Sequence, residues 1–518
     1  MEIKRETSFT KNVKCQDVYT ESQADYVLPD YLGDVRKILF TEATLRPSGR
    51  FAGGDEVEFS GVVVYNVIYL DSENNLSSAE FTSDYDYTVK CSGENYKDSI
   101  SDTRVSNYAI RLMGPRKFSA RASLVGSVRL SESDSLTIEG DAFDDGGAEV
   151  NTKSVKMRRQ MPSGVCEREY AESLARLDGV AKDEVRLIYS GAETEVDSVE
   201  AVDEAVRLRG RLCIKAVLCV ADEPAYKLEK QINFDESLPF EGVSADMKLL
   251  PELTVSSLKC LVNADENGCE VVGSAILEAS VLAETNETVD LTLDSYLKSC
   301  PTDNTYEDFS YQTLCDLSTV RGVHNAEVEK GDLECEGIED IIFLSATPKV
   351  EQVECSGDRV NIVGEIRYTG IASENNDDGI SYVGFKFTSP FGTNVNISCQ
   401  NNGKMQFEAR VSASGANATM DSGRIYASCN LESCVTAVCE EKEKILASSV
   451  KREDEKYEKT GATITVYYPD EGDTLFSVAK KFRTSGLKIA RDNDISEQVF
   501  AASNPEGRLR GIKKLLIY

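Results

Sequence analysis

A single histidine, His324, stands among 518 residues, and that scarcity excludes a good deal. No multi-histidine metal site can form, and a Ser-His-Asp or Cys-His arrangement could be built only around His324. Its neighbourhood, Val320-Arg321-Gly322-Val323-His324-Asn325, holds no nucleophile elbow and is expected in an interdomain loop, with an incidental surface histidine. No apolar run reaches the roughly 18 residues that a membrane-spanning helix needs. The opening Met1-Glu2-Ile3-Lys4-Arg5-Glu6-Thr7 has no apolar segment behind its charges, so no secretory signal is expected and the chain should stay in the cytoplasm. Walker lysines and phosphate-cradling glycine loops are missing too. The 15 cysteines include no Cys-x-x-Cys, and the tightest set, Cys429, Cys434 and Cys439, has spacings that suit neither a zinc ribbon nor a redox pair. Reduced thiols packed as small hydrophobes fit best, with later oxidative cross-linking as the competing reading.

What is present in excess is negative charge. The formal net charge is -32; residues 461–518 carry nine Lys/Arg against seven Asp/Glu, which leaves -34 on the first 460 residues. Such a body repels polyphosphate, so nucleic acid is not an expected partner. The carboxylate pairs Asp144-Asp145 and Asp377-Asp378 invite a glycosidase or calcium reading, but both sit beside glycine where tight turns are expected. An EF-hand loop starting at Glu374 would need a bidentate Glu where Phe385 stands. The body's one basic cluster, Lys153, Lys156, Arg158 and Arg159, reads as linker charge, with anchoring of an acidic neighbour as the alternative.

The apolar residues alternate with period two. Val57-Glu58-Phe59-Ser60-Gly61-Val62-Val63-Val64-Tyr65-Asn66-Val67-Ile68-Tyr69 reads as strand, Asp71 to Asn75 as a hairpin loop, and Ala79-Glu80-Phe81-Thr82 as its return. The layout recurs around Val206 to Ile214 and Val360 to Tyr368, and Gly61, Gly210 and Gly364 stand 149 and 154 residues apart. Further mid-strand glycines, Gly126 and Gly273, fall in second halves of the same character. Such glycines mark a bulge or a close crossing of two sheets. The expected fold class is therefore mainly β: three repeated all-β, sandwich-like domains over 1–152, 165–300 and 335–440, then a charged linker over 441–460 that reads as a solvated helix or tether, then a small βααβ domain over 461–518. Breaks between the first units are expected near Lys153 to Arg168 and Cys300 to Glu339.

That last stretch has the clearest local pattern. Leu475, Val478, Ala479 and Phe482 recur at helical spacing behind a capping Asp473 or Thr474, and the alternations Ile464/Val466 and Leu515/Ile517 flank it as strands. With Gly472, Asp473, Thr474, Leu475, Phe476, Ala479, Asn493, Gly511, Leu515 and Ile517 in order, it resembles a LysM module. The repeated units, through Pro-Asp then Ile-Leu and then a Val-x-x-x-Gly-x-x-x-Tyr-x-x-x-Tyr strand, resemble the SPOCS domain of clostridial spore coat proteins; the second unit lacks the tyrosines and the third keeps only Tyr368. Together the layout is similar to clostridial coat morphogenetic proteins.

The resemblance does not imply catalysis, and the missing catalytic groups agree, so a protein that is not an enzyme and has no cofactor or metal is expected. The resemblance implies an adaptor at the forespore surface in the mother-cell cytoplasm, docking through its LysM-like end onto the coat-basement ATPase of the stage IV sporulation protein A type. A LysM groove would use Gly472, Asp473, Thr474 and Leu475 together with Asn493, Asp494 and Ile495. After Asn493 the segment Asp494 to Arg510 is lengthened and holds a second Asn-Pro, Asn504-Pro505, which leaves the loop's alignment open. The alternatives are a peptidoglycan or N-acetylglucosamine-polymer binding protein reaching cortex glycan, and a structural coat component. Exposed Lys480, Lys481 and Arg483 are the expected docking residues for an acidic partner.

Overall fold

The computed structural model describes residues 5–14, 17–144, 147–221, 223–333, 337–376, 379–399, 404–452, 455, 457, 464–495, 509 and 511–518. The chain is mainly β, in strands that pair antiparallel throughout. The first group is β1 (Arg5–Lys14), β2 (Val18–Val27), β3 (Val35–Gly53), β4 (Glu56–Asp71), β5 (Leu76–Lys90), β6 (Tyr96–Gly114) and β7 (Lys117–Ile138). The second is β8 (Ala148–Pro162), β9 (Cys166–Asp178), β10 (Val185–Val202), β11 (Ala205–Val220), β12 (Tyr226–Pro239), β13 (Lys248–Asp265) and β14 (Gly268–Leu297). The third is β15 (Thr302–Glu329), β16 (Ile338–Ser356), β17 (Arg359–Asn376), β18 (Gly379–Asn396), β19 (Met405–Asp421) and β20 (Arg424–Lys451). The C-terminal unit is β21 (Thr465–Tyr467), helices α1 (Leu475–Phe482) and α2 (Gly486–Asp492), and β22 (Leu515–Ile517).

The period-two pattern does what it should. In β4 every second residue from Val57 is buried, and Asp71 closes the following hairpin by accepting the backbone N–H groups of Glu73 (2.9 Å) and Asn75 (2.8 Å) while Asn74 takes a positive φ. Three sheets of three strands result, β3-β4-β5, β10-β11-β12 and β16-β17-β18. Each packs across a hydrophobic core against a second sheet, built on β7, β14 and β20 respectively. In each second sheet one long strand takes partners along both of its halves: β7 pairs with β2 and β1, β14 with β9 and β8, and β20 with the single long β15.

The spaced glycines mark one device used three times. Gly61, Gly210 and Gly364 lie opposite Tyr85, Phe234 and Phe391, whose rings cover them, and opposite a register shift in the preceding strand, at Pro47/Gly49, Val196/Ser198 and Val350/Gln352. A Cβ there would stand 2.7, 2.2 and 2.1 Å from the carbonyl oxygens of Arg46, Glu195 and Lys349. Only glycine leaves room for bulge and aromatic cover together. Gly126 and Gly273 instead serve sheet crossings, beneath Tyr87 and Ile214.

Where the first strands enter their sheets, a second set of bulges brings the three sheets together. Register shifts at Ile38/Phe40, Leu187/Tyr189 and Ile341/Phe343 turn two successive residues inward, so that Leu39 with Phe40, Ile188 with Tyr189, and Ile342 with Phe343 enter one shared cluster. The ring centroids of Phe40, Tyr189 and Phe343 stand 6.1, 5.4 and 4.6 Å apart. Their spacing along the chain is again 149 and 154 residues. A second shared cluster forms from the other sheets: Phe9 of β1, Val155 and Met157 of β8, Leu291 of β14 and Ile445 of β20, with Phe309 of β15 edge-on to Phe9. Charged groups occupy further contacts between the groups of strands. Arg410 of β19 reaches Glu252 of β13 (3.2 Å) and Asp102 of β6 (3.6 Å), and Arg129 of β7 pairs with Glu408 of β19.

Several stretches expected as connections are strands. Residues 441–451, expected as a solvated helix or tether, complete β20 against Thr302–Tyr311 of β15, with Ile445 and Leu446 buried. The expected breaks near 153–168 and 300–339 fall largely on β8, the start of β9 and β15. Their alternation is hidden because charged side chains face neighbouring strands and are paired there. Lys153 binds Glu443, Arg159 lies 3.6 Å from Glu287, and Arg158 is buried on Glu284. Lys153, Arg158 and Arg159 of the basic cluster therefore anchor acidic strands of the same chain and are not linker charge, while Lys156 is exposed.

Candidate functional site

The C-terminal unit carries every residue that the sequence offered as a binding site. Helix α1 begins where the pattern puts it: Thr474 Oγ1 accepts the Ser477 N–H (3.0 Å), and Ser477 Oγ accepts the Thr474 N–H (2.9 Å), a reciprocal cap. Leu475, Val478 and Ala479 are buried, with Phe482 packed beside them. The helix ends at Arg483 in a left-handed conformation, its N–H returned to the carbonyls of Ala479 and Lys480.

The turn before α1 is tied inward. The Asp473 carboxylate accepts the Tyr467 hydroxyl (2.7 Å) and the Asp470 N–H (2.9 Å), and its carbonyl accepts the Leu509 N–H (3.0 Å). Asn493 acts as a clamp: its amide donates to the carbonyls of Ile489 (2.8 Å) and Leu516 (2.7 Å), and its oxygen accepts the Leu516 N–H (2.5 Å). Asp494 has a positive φ and closes the turn after α2, while Ile495 packs on the unit's core. Gly472 is exposed and Leu475 is core. The Leu509–Asp473 bond ties the segment ahead of β22 to the turn before α1. The residues that would form most of its second wall, 496–508 with Asn504-Pro505, lie outside the described residues.

The basic residues of α1 are not equivalent. Lys480 Nζ lies 2.8 and 2.6 Å from the two carboxylate oxygens of Asp294 in β14, which also accepts from Asn304 (2.9 Å) and the Tyr306 hydroxyl (2.8 Å). Tyr296, two residues on, donates its hydroxyl to the Thr484 carbonyl (2.6 Å) and sets its ring against Phe476, with centroids 5.2 Å apart. Burial drives the Tyr296 hydroxyl pKa well up, so the phenol stays a donor. This side of the unit is seated on the end of β14. Lys480, expected as a free docking residue, is consumed by that seat; Lys481 lies over Tyr467 at 4.6 Å and Arg483 over Tyr457 at 3.5 Å. Sequence reading missed Asp294 and Tyr296, because a contact across 186 residues leaves no local pattern.

The hydrogen bond from Tyr467 is the first cause holding the Asp473 carboxyl below the usual carboxylate range, and the Asp470 N–H adds to it. A depressed folded-state pKa contributes stability above the unfolded value, and that contribution is lost as pH falls through the folded pKa. Carbon-detected NMR titration of the Asp473 carboxyl is therefore expected to give a midpoint below the ordinary Asp value of about 3.9, with the turn loosening only under stronger acid. A midpoint at or above that value would overturn the assignment.

Outside this unit the other candidates are structurally committed. His324 lies within β15, not in a loop. Its Nε2 donates to the Pro390 carbonyl (3.1 Å), leaving Nδ1 to accept the Tyr368 hydroxyl (2.9 Å), and Tyr368 in turn meets Cys429 Sγ at 3.3 Å. Phe385 is core, so the loop from Glu374 has no calcium ligand there. Asp144 sits in a turn begun by Asp141, while Asp145, Asp377 and Asp378 are outside the described residues. Among the described residues no group of three His, Cys, Asp or Glu side chains is placed to hold a metal ion, and all 13 described cysteines are free. No helix among them is long and apolar enough to cross a membrane. A groove of about 550 Å³ follows the seam of β10 with β19 and β20; Arg211 Nη2 pairs there with Glu195 (2.7 Å) and Arg321 Nε with Glu432 (2.5 Å), while Arg211 Nε is buried without a hydrogen-bond partner.

No family model matches this chain, and no curated protein matches it. Among solved structures, a crystal structure of lipopolysaccharide binding protein aligns at 6% identity over 51% of this chain and 91% of its own, with a TM-score of 0.08 that carries no argument.

Proposed function

We propose that this chain is a non-enzymatic adaptor of spore coat morphogenesis: three SPOCS-like β repeats form a rigid acidic scaffold, and a C-terminal LysM-like βααβ module docks that scaffold onto a partner protein. The partner that the resemblance implies is the coat-basement ATPase of the stage IV sporulation protein A type, met at the forespore surface in the mother-cell cytoplasm. One observation carries the reading above the others. The module is held to the end of β14 by the Lys480–Asp294 pair and the Tyr296 contacts, which suits a docking head fixed on a scaffold. The internal use of Asp473, Thr474 and Asn493 favours a protein surface over a glycan groove, since their polar atoms are already engaged.

The test uses the full-length chain against the purified ATPase and, separately, against sedimented peptidoglycan. Saturable binding to the ATPase with a Kd on the order of 1 μM, weakening as salt rises, is expected, with no co-sedimentation. Peptidoglycan binding of that strength with no ATPase binding would replace this reading with the glycan one. Late deposition of a tagged copy in the outer coat, with no early forespore ring, would instead make it a structural coat component.

A further inference from the structure

The C-terminal unit has two sides, and among the described residues the contacts with the body of the chain lie on one of them. Phe476, Lys480 and Thr484 meet β14, so the helical side is partly taken. The other side is the outer face of the two-stranded sheet. Thr465 pairs opposite Ile517 and Tyr467 opposite Leu515, and Leu515 and Ile517 are buried beneath the helices. Val466 and Leu516, opposite one another, therefore turn outward. Alternation carries Ile464 and Tyr468 onto the same face, and Tyr518 stands at its end. Their exposures are 50% for Ile464, 49% for Val466, 68% for Tyr468 and 53% for Tyr518. Exposed apolar residues scattered singly need no explanation, but four on one face of so small a sheet form a patch.

We propose that this face, and not the α1 lysines, is the docking surface, and that its occupant is a segment of the partner with aliphatic or aromatic side chains at its centre and carboxylates at its edges. The inference rests on the adaptor reading above. The sign of the partner's charge comes from the rim. Lys488 donates to the Tyr518 carbonyl (3.0 Å) and stays exposed, and Lys513 and Lys514 are exposed at the entry to β22. Among the described residues no Asp or Glu side chain is paired with these three. A patch this small belongs with weak, salt-dependent contacts, in which a few central side chains dominate and rim charges set the approach. The unit's own seat uses the same chemistry, a lysine on an aspartate beside an aromatic pair.

The experiment measures binding of full-length protein to the purified coat-basement ATPase for four forms: wild type, Val466→Asp with Tyr468→Asp, Lys513→Glu with Lys514→Glu, and Lys481→Glu with Arg483→Glu. The two sheet-face variants are expected to bind at least about tenfold more weakly, and the α1 variant within about twofold of wild type. Because every substituted side chain is exposed, unchanged circular dichroism and melting are expected, and the lysine variant, which leaves the apolar strip intact, guards against a folding artefact. Wild-type binding with undiminished sheet-face variants overturns this inference alone. Failure of the wild type to bind the ATPase overturns the adaptor reading and this surface with it. Self-association abolished by the Val466 and Tyr468 changes, with ATPase binding intact, would assign the face to a second copy and overturn the partner proposed.

Discussion

Truncating Phe343 to alanine is expected to cost about 3–5 kcal/mol of stability, the range for deleting a buried aromatic from a well-packed core. The site explains why so much is at stake. Phe343 is buried against Phe40 and Tyr189, one ring from each of three sheets, and no neighbour can fill the space without pulling its own strand out of register. Each ring sits beside a bulge, so relaxation would have to undo a bulge as well as move a side chain. Urea unfolding followed by far-ultraviolet circular dichroism reads the loss, and Phe343→Leu should recover more than half of it. A double-mutant cycle with Phe40→Ala is expected to show coupling of roughly 0.5–3 kcal/mol, because the two rings share the cavity. A cost below about 1 kcal/mol, or strict additivity, would mean that the three sheets are not held together at this point.

How much of this was legible in the sequence depends on whether a feature is local. The strands of the three-stranded sheets announce themselves, because one face of β4, β11 and β17 is buried against a core and the apolar alternation records it. Gly61, Gly210 and Gly364 were legible for the same reason, as interruptions at a constant spacing. So was α1, whose stripe Leu475, Val478 and Ala479 is the core of the C-terminal unit. The junction was not legible. A bulge turns Leu39 and Phe40 inward in succession, which breaks the very alternation by which strands are read, and nothing local says that Tyr189 and Phe343 lie opposite. The polar strands failed differently. In β8 and in the last turns of β20, charged residues face other strands and are neutralised there, so a strand looks like a linker until its partners are known. At the candidate site, the sequence placed Asp473, Thr474 and Asn493 correctly on a turn and a helix end, but it could not show that their polar atoms are spent on the fold.

The buried pair on β8 and β14 supplies the second large effect. Glu284→Ala is expected to destabilise the protein by about 3–5 kcal/mol, since it takes the bidentate carboxylate away from a buried guanidinium. Arg158 is 3% exposed; its Nε donates to Glu284 Oε2 at 2.7 Å and its Nη2 to Oε1 at 2.6 Å, while Gln160 holds the same carboxylate at 2.6 Å. Burial works against the Arg158 charge, and in the parent the hydrogen bonds and charge of Glu284 outweigh it, so its pKa is raised; without Glu284 the guanidinium still stays a cation, because arginine is not deprotonated in proteins. Glu408, at 3.9 Å, is shared with Arg129 and cannot replace a bidentate partner. Two further variants separate a stranded charge from a simple cavity. Glu284→Gln keeps the volume and should still lose a large part of the stability, whereas Arg158→Met combined with Glu284→Leu, which removes both charges and refills the space, should return to within about 1–2 kcal/mol of the parent. Urea midpoints compared across the three decide the matter. If the double replacement were as unstable as Glu284→Ala, the pair would matter for its shape, and the desolvated charge would not be the cause.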